Sequence, residues 1–457
     1  MTTRRHFLAA TAALGLGACA TGPSMTDHPP IVFVHGNGDT AGIWQSTIWR
    51  FESNGWPRER LHAIDVPYPL ARDDDTKPQP GRTSAAEHMA HLRAEVDRVL
   101  QATGASRVVL VGNSRGGLAI RNYIQNGGGA AKVSHAILGG VPNHGIWNVP
   151  GRNPGSEFAG NGPFVQGLNA PKNAAGDEVA GPVKWMTLRS DNNDKYAQPH
   201  GRWIGAPDLQ TNVGYDGPAL KGAENVVLAR ADHREVSFSP AAFEATYRFI
   251  TGRAPRTLEI VPEDRVQLSG KVSGLGLASA DPASGNFQNN LPLAGAQLEV
   301  FALDPATGER RGAAAHAQVI GANGAWGPFA AQRGVPYEFV VRSPGYAVTH
   351  IYRSPFPRSG SVVNMRPQRV TAEADRNAPS LVILDRPRGY FDPGRDRMAF
   401  DGQNPPPGAL PGAGVSSSRI RPPLPSRAVA AEFNGERIVG RNWPVAEGHV
   451  SVLELTY

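Results

Sequence analysis

Val108-Val109-Leu110-Val111-Gly112-Asn113-Ser114-Arg115-Gly116-Gly117-Leu118 is the stretch whose reading decides the fold. Four consecutive apolar residues read as a buried parallel strand. They run straight into Gly-x-Ser-x-Gly, and Leu118-Ala119-Ile120 then opens a helix. A serine on so abrupt a strand-to-helix turn has a strained backbone and an exposed hydroxyl. Side chains at Gly112 and Gly116 would collide with the neighbouring strand and helix. Ser114 also stands at a helix N-terminus, where backbone N–H groups and the helix dipole favour negative charge. These features make Ser114 a candidate nucleophile.

Upstream, Ile31-Val32-Phe33-Val34 is a second buried strand, and it delivers His35-Gly36-Asn37-Gly38. Asp39 to Phe51 reads as a helix with Ile43, Trp44, Ile48 and Phe51 on its apolar stripe; Trp44 and Trp49 read as packing. Leu61 to Val66 is a strand, and the polar, Pro-rich residues 67–82 fall near the expected substrate rim. Ser84-x-x-Glu87 is a capping box, opening a helix that ends near Gly104.

Downstream, Ala136 to Gly139, Val183 to Leu188 and Asn225 to Ala229 read as further strands. Residues 145–180 are Gly/Asn/Pro-rich without strong periodicity and read as a lid or substrate wall. His144 reads as a polar loop histidine, with substrate contact as the other reading. The turn after Val183–Leu188 offers two carboxylates, Asp191 and Asp194, without the ligand spacing of a calcium loop. Asp232-His233 follows the last strand, Ser239-Pro240 starts a helix, and Gly252 ends it. Strands alternating with helices predict an α/β fold with a parallel sheet.

Val34-His35-Gly36-Asn37-Gly38, Gly112-Asn113-Ser114-Arg115-Gly116, the Ser190-to-Asp194 turn and Asp232-His233 together resemble α/β-hydrolases of the compact bacterial lipase and esterase type. The resemblance covers residues 29–252, about half of the chain. It implies that Ser114 attacks an acyl carbon and His233 takes its proton. It implies Asp194 as the orienter of His233, because small bacterial lipases carry a similar strand-Ser-x-x-Asp turn; Asp191 is then a loop cap. The backbone N–H groups of Asn37 and Arg115 form the implied oxyanion hole. No metal and no organic cofactor is required. The chain departs from the pattern in having Gly112 rather than Ala, and in its 145–180 insertion.

Residues 253–265 read as a linker, and from Val266 the character changes. Val266 to Val272, Gly295 to Phe301 and Tyr337 to Val341 alternate as strands, with turns at Asp304-Pro305-Ala306-Thr307-Gly308 and Pro344-Gly345-Tyr346. Residues 266–368 are similar to the small sandwich repeats related to transthyretin. Residues 369–457 read as a further β-rich region, with strands at Leu381–Leu384 and Val450–Leu455. The expectation is a β-sandwich-like half packed near the active-site rim, lending it apolar surface through Trp326, Phe329, Tyr346 or Tyr352.

The N-terminus carries an export signal in this reading. Arg4-Arg5 with Phe7-Leu8 resembles a twin-arginine signal, and the apolar run that follows is too short to span a membrane. Leu16-Gly17-Ala18-Cys19 resembles a lipobox, making Cys19 the candidate lipidation site, with 20–28 a tether. Cys19 is the sole cysteine, which rules out an intrachain disulfide. The expected partners are an ester or lipid substrate and, through the anchor, a membrane of the cell envelope. The formal charge of +6 falls by two once Arg4 and Arg5 are removed, too little to argue for nucleic acid. The expected activity is a serine hydrolase cleaving carboxylic esters. The alternatives are a polyester depolymerase and, in another class, a catalytically inactive surface-binding lipoprotein.

Overall fold

The computed structural model of the chain describes residues 28–197, 211–276 and 287–457. Six strands, β1 (Ile31–Val34), β2 (Leu61–Ile64), β3 (Val108–Asn113), β4 (Val133–Gly139), β5 (Lys184–Ser190) and β6 (Glu224–Leu228), form one parallel sheet in the order β2-β1-β3-β4-β5-β6. Strand β1 and the Val108–Val111 run of β3 are apolar and buried because both faces of the sheet are covered. Val32, Val34 and Leu110 face a core shared with Leu92, Val96 and Ile120. Ile31, Phe33, Val109 and Val111 face another, shared with Phe51 and Phe243.

The covering helices are α1 (Gln45–Ser53), α2 (Ala85–Thr103), α3 (Arg115–Asn126), α4 (Pro163–Asn169), α5 (Glu235–Phe238) and α6 (Pro240–Thr251). The Ser84–Glu87 capping box starts α2, with the Glu87 N–H donating to Ser84 Oγ at 3.1 Å and the Ser84 N–H to Glu87 Oε2 at 2.8 Å. The stretch read as one helix over Asp39–Phe51 is a 3₁₀ turn at Ala41–Trp44 followed by α1. Residues 145–180 are more ordered than their composition predicted. They hold α4, which starts with Pro163 in its first turn and buries Val165 and Leu168. The order and direction of these strands and helices are those of an α/β-hydrolase.

Among the described residues the second half is β-rich, with a short helix at Glu373–Arg376 and a 3₁₀ turn at Val445–Glu447. Its strands are β7 (Val266–Lys271), β8 (Ser273–Gly276), β9 (Phe287–Pro292), β10 (Gln297–Ala302), β11 (His316–Val319), β12 (Ala325–Ala331), β13 (Tyr337–Arg342), β14 (Val348–Arg353), β15 (Val382–Asp385), β16 (Met398–Phe400), β17 (Ser417–Ile420), β18 (Ala428–Phe433), β19 (Glu436–Arg441) and β20 (His449–Glu454). Seven of them make one mixed sheet, β11-β10-β13-β14-β20-β15-β17. Strand β20 lies between β14 and β15, parallel to both. The seven-stranded sheet takes strands from both regions, 266–368 and 369–457.

The aromatic expectation also needs correction. Trp326, Phe329 and Tyr352 are 1%, 6% and 1% exposed and belong to the cores of the β-rich half, so they offer no surface to a substrate. Alternation along a strand says which residues share a face, not which face is covered. The two halves are joined by direct packing. Trp49 of α1 sits in the core of the seven-stranded sheet, and its indole N–H donates to the Ser359 carbonyl at 2.7 Å.

Candidate active site

Strand β3 ends at Asn113, and Ser114 follows as the N-cap of α3 with its backbone at φ 51°, ψ −123°. A non-glycine residue tolerates this only where its surroundings hold it. The surroundings are tight. A Cβ on Gly116 would lie 2.5 Å from the Val34 carbonyl oxygen, and one on Gly112 would lie 2.7 Å from Ile120 Cδ1. Gly112 is thus fixed by the contact of β3 with α3, and Gly116 by the contact of α3 with the end of β1.

The serine does not stand alone. The imidazole of His233 lies with Nε2 3.0 Å from Ser114 Oγ and Nδ1 2.6 Å from Asp194 Oδ2. All three side chains are buried. Asp194 Oδ1 accepts the Tyr196 N–H at 2.8 Å, and the Tyr196 ring stands edge-on to the imidazole at 4.8 Å. Asp191 sits elsewhere on the turn, where its Oδ1 accepts the Arg230 N–H at 2.8 Å. Of the two carboxylates, only Asp194 touches the histidine.

The loop Gly36–Gly38 lies against the same serine. A Cβ on Gly36 would come within 3.2 Å of Ser114 Cβ. His35 fixes the loop's base: its Nδ1–H donates to the Gly36 carbonyl at 2.9 Å and its Nε2 accepts the Val66 N–H at 3.0 Å. Burial lowers the His35 pKa, which matches this neutral tautomer. The Asn37 side chain accepts the Ala71 N–H at 2.7 Å. Arg115 is the first residue of α3, so its N–H is among those an α-helix leaves without an internal acceptor.

The side chains around this centre do work that the motifs did not reveal. Asn113, inside the motif, donates to Ser237 Oγ at 2.9 Å and to the His233 carbonyl at 3.3 Å, tying the serine turn to the histidine turn. The Arg115 guanidinium is buried and pairs with Glu157 at 2.5 Å, while donating to the Pro69 and Thr83 carbonyls. It thereby fastens residues 145–180 to the chain beside the Gly36–Gly38 loop, whose Gly38 N–H donates to the same Pro69 carbonyl. His144 is paired with Glu178 at 2.9 Å.

The β-rich half reaches the same turns. Asp232 is 0% exposed, and its Oδ2 accepts the Tyr390 N–H at 2.7 Å and Arg386 Nη1 at 3.3 Å. Arg386 Nη2 donates to Glu235 at 2.6 Å, and Arg395 pairs with the same carboxylate. On the acid turn, Asn193 donates to Asp392 at 3.3 Å. Beside the Gly36–Gly38 loop, Asn290 of β9 donates to the Asp39 and Val66 carbonyls, both at 2.9 Å. Asp232 was read only as the neighbour of His233. Its Oδ1 caps the local Arg234 and Glu235 N–H groups, but the partners of its Oδ2 lie more than 150 residues away and nothing local announces them.

Among the described residues no group of three or more His, Cys, Asp or Glu could hold a metal ion, and no helix is long and apolar enough to cross a membrane. Arg4, Arg5 and Cys19 lie outside the described residues.

Comparison with known proteins adds to this geometry. Residues 28–158 match the family model of class 2 lipases, and residues 264–370 match that of the lipase C-terminal domain. Among solved structures, the mature form of Bacillus licheniformis lipase BlEst2 is 18% identical, covering 49% of this chain and 93% of its own, with a TM-score of 0.36. The propeptide form of that lipase is 14% identical, covering 90% of this chain and 73% of its own, with a TM-score of 0.37. A Paleococcus ferrophilus monoacylglycerol lipase is 15% identical, covering 49% of this chain and 96% of its own, with a TM-score of 0.33. By these matches the chain is similar to class 2 lipases over residues 28–158 and to lipase C-terminal domains over residues 264–370.

Proposed function

We propose that the chain is a serine hydrolase that cleaves carboxylic esters through an acyl-enzyme. The observation that carries this reading is the single imidazole of His233, bonded on one side to Ser114 and on the other to Asp194. Ser114 Oγ attacks the ester carbonyl carbon while His233 Nε2 takes the hydroxyl proton. The tetrahedral oxyanion is held by the Asn37 and Arg115 N–H groups. The oxyanion collapses, the alcohol leaves with the proton from His233, and the acyl group stays on Ser114. Water, deprotonated by His233, then releases the carboxylic acid. Asp194 keeps the Nδ1 proton in place and offsets the charge of the imidazolium. The class 2 lipase match supports an ester or lipid substrate.

Hydrolysis of a nitrophenyl ester series from acetate to palmitate, beside emulsified triglyceride, tests the reading. Turnover by the wild type and its loss in Ser114→Ala is the expected result. Equal rates in the two would refute it.

The N-terminal residues support export on a twin-arginine signal and anchoring at Cys19 to the cell envelope. Cys19→Ser should release the protein from the membrane fraction and abolish metabolic palmitate labelling; retention of the label would contradict the anchor.

A further inference from the structure

A cavity of about 350 Å³ lies between the two halves, behind the oxyanion loop. One wall is the chain from Gly38 to Ile43. The facing wall is one side of the seven-stranded sheet, where Asp385 of β15 is paired in register with Glu454 of β20 and Ser417 of β17. Five guanidinium groups and three carboxylates line the space.

Most of these charges cancel locally. Arg234 pairs with Asp39 at 2.5 Å, Arg353 pairs with Glu454, and Arg419 pairs outward with Asp375. Arg366 and Arg388 are different. Among the described residues, neither has a carboxylate within ion-pair distance. Arg366 donates to the Asn289 carbonyl at 3.1 Å and to Asn290 Oδ1 at 2.8 Å. Arg388 donates to the Leu455, Thr456 and Gly42 carbonyls. In both residues the Nε–H is buried and has no partner.

Carboxylates reach these two buried cations only through space, Asp39, Asp65 and Asp385 for Arg366 and Glu454 and Glu436 for Arg388, and a buried cation without a direct ion pair is costly. The remaining carboxylate, Asp385, answers poorly. Burial and the neighbouring Glu454 push its carboxyl up to about 7, and in its protonated form it is a hydrogen-bond donor. The cavity thus presents guanidinium N–H groups, a carboxyl that can donate, and the hydroxyls of Ser416 and Ser417. Planar guanidinium donors suit a tetrahedral oxyanion. The volume is roughly that of ten waters, enough for a phosphate group and its solvation.

We propose that this cavity binds a phosphate group, with Arg366 and Arg388 as its principal cationic contacts. The inference stands independently of the ester-hydrolase reading, because it uses none of Ser114, His233 or Asp194. A bound anion would bridge the oxyanion side of the first half to the sheet of the second.

Calorimetric titration and thermal unfolding of the full chain with inorganic phosphate, glycerol 3-phosphate and chloride at matched ionic strength test it. Saturable binding and a rise in Tm of several degrees with a phosphate, absent with chloride, are expected. Preference for inorganic phosphate identifies a free anion, and preference for glycerol 3-phosphate identifies an organic phosphate monoester. Arg366→Met and Arg388→Met should each weaken binding at least tenfold. Asp385→Asn keeps a donor and removes the opposing charge, so it should bind at least as tightly as the wild type. Absence of saturable binding to the wild type overturns the proposal whatever the variants do. Loss of binding in Asp385→Asn, or unchanged binding in folded arginine variants, overturns it as well.

Discussion

The Tyr390 backbone N–H donates to Asp232 Oδ2 at 2.7 Å across 158 residues, so the β-rich half holds the residue next to the catalytic-histidine candidate. Arg386 adds a two-pronged grip, Nη1 on Asp232 and Nη2 on Glu235. Arg386→Met would leave the fully buried Asp232 carboxylate with only the longer ion pair to Arg395 at 3.5 Å and loosen the His233 turn. A misplacement of about 1 Å at a catalytic group can cost about 10²-fold. A fall of that order in kcat/KM is expected, with Arg386→Lys intermediate because one ammonium cannot span both carboxylates. The chain cut at Gly252 should lose activity on acetate and long-chain esters alike. A folded truncation that keeps activity on acetate would show that the grip is dispensable. Steady-state kinetics beside circular dichroism decide between these outcomes.

Asp194→Asn should lower kcat by up to about 10⁴-fold, since an amide at Oδ2 stabilises the wrong imidazole tautomer. Asp191→Asn should cost far less, because Asp191 bonds to the Arg230 N–H and not to the histidine. The reverse ranking in the same ester assay would move the orienting role to Asp191.

The glycine at 116 is set by backbone contact. Its Cβ would meet the carbonyl oxygens of Val34 and His35 at 2.5 and 2.6 Å, atoms at the end of β1 that cannot swing away. Gly116→Ala should lower Tm and kcat together by pushing α3 off the oxyanion loop. A variant with wild-type Tm and kcat would show that the two elements tolerate separation.

Asp385 makes stability fall with rising pH. Its folded pKa of about 7 lies above the unfolded carboxylate value, so between about 4 and 7 the folded state binds more protons than the unfolded one. Stability contributed by the protonated form is therefore present at low pH and lost as pH rises through 7, with a slope of at most about 1.4 kcal/mol per pH unit for one proton. Asp385→Asn should flatten this part of the profile and be more stable than the wild type at pH 8. Denaturant unfolding at pH 5 and 8 measures both, and an unchanged slope in the variant would remove Asp385 from the account.

Much of the first half was legible because its constraints are local. The apolar run Val108–Val111 and the capping residues Ser84, Glu87 and Ser239 act on atoms a few residues away, and the spacing of the glycines around Ser114 is itself local, although Gly116 is held by the distant Val34 and His35 carbonyls. His233 was singled out by its place after the last strand, and Asp194 over Asp191 by the resemblance to the strand-Ser-x-x-Asp turn of small bacterial lipases; the structure puts the two side chains in contact. Helix α4 was missed because it is two turns long and buries only Val165 and Leu168. The Arg115–Glu157 and Arg386–Asp232 pairs were missed because they exist only once distant segments meet. The insertion of β20 between β14 and β15 is likewise a property of the assembled sheet.

The central claim is that Ser114 is a nucleophile activated by His233, and covalent capture by a fluorophosphonate tests it most directly. Intact mass and peptide mapping of the labelled full chain should show one adduct, on Ser114, absent in Ser114→Ala and formed far more slowly in His233→Ala. No adduct on the wild type, or an adduct on a different residue, would contradict the claim.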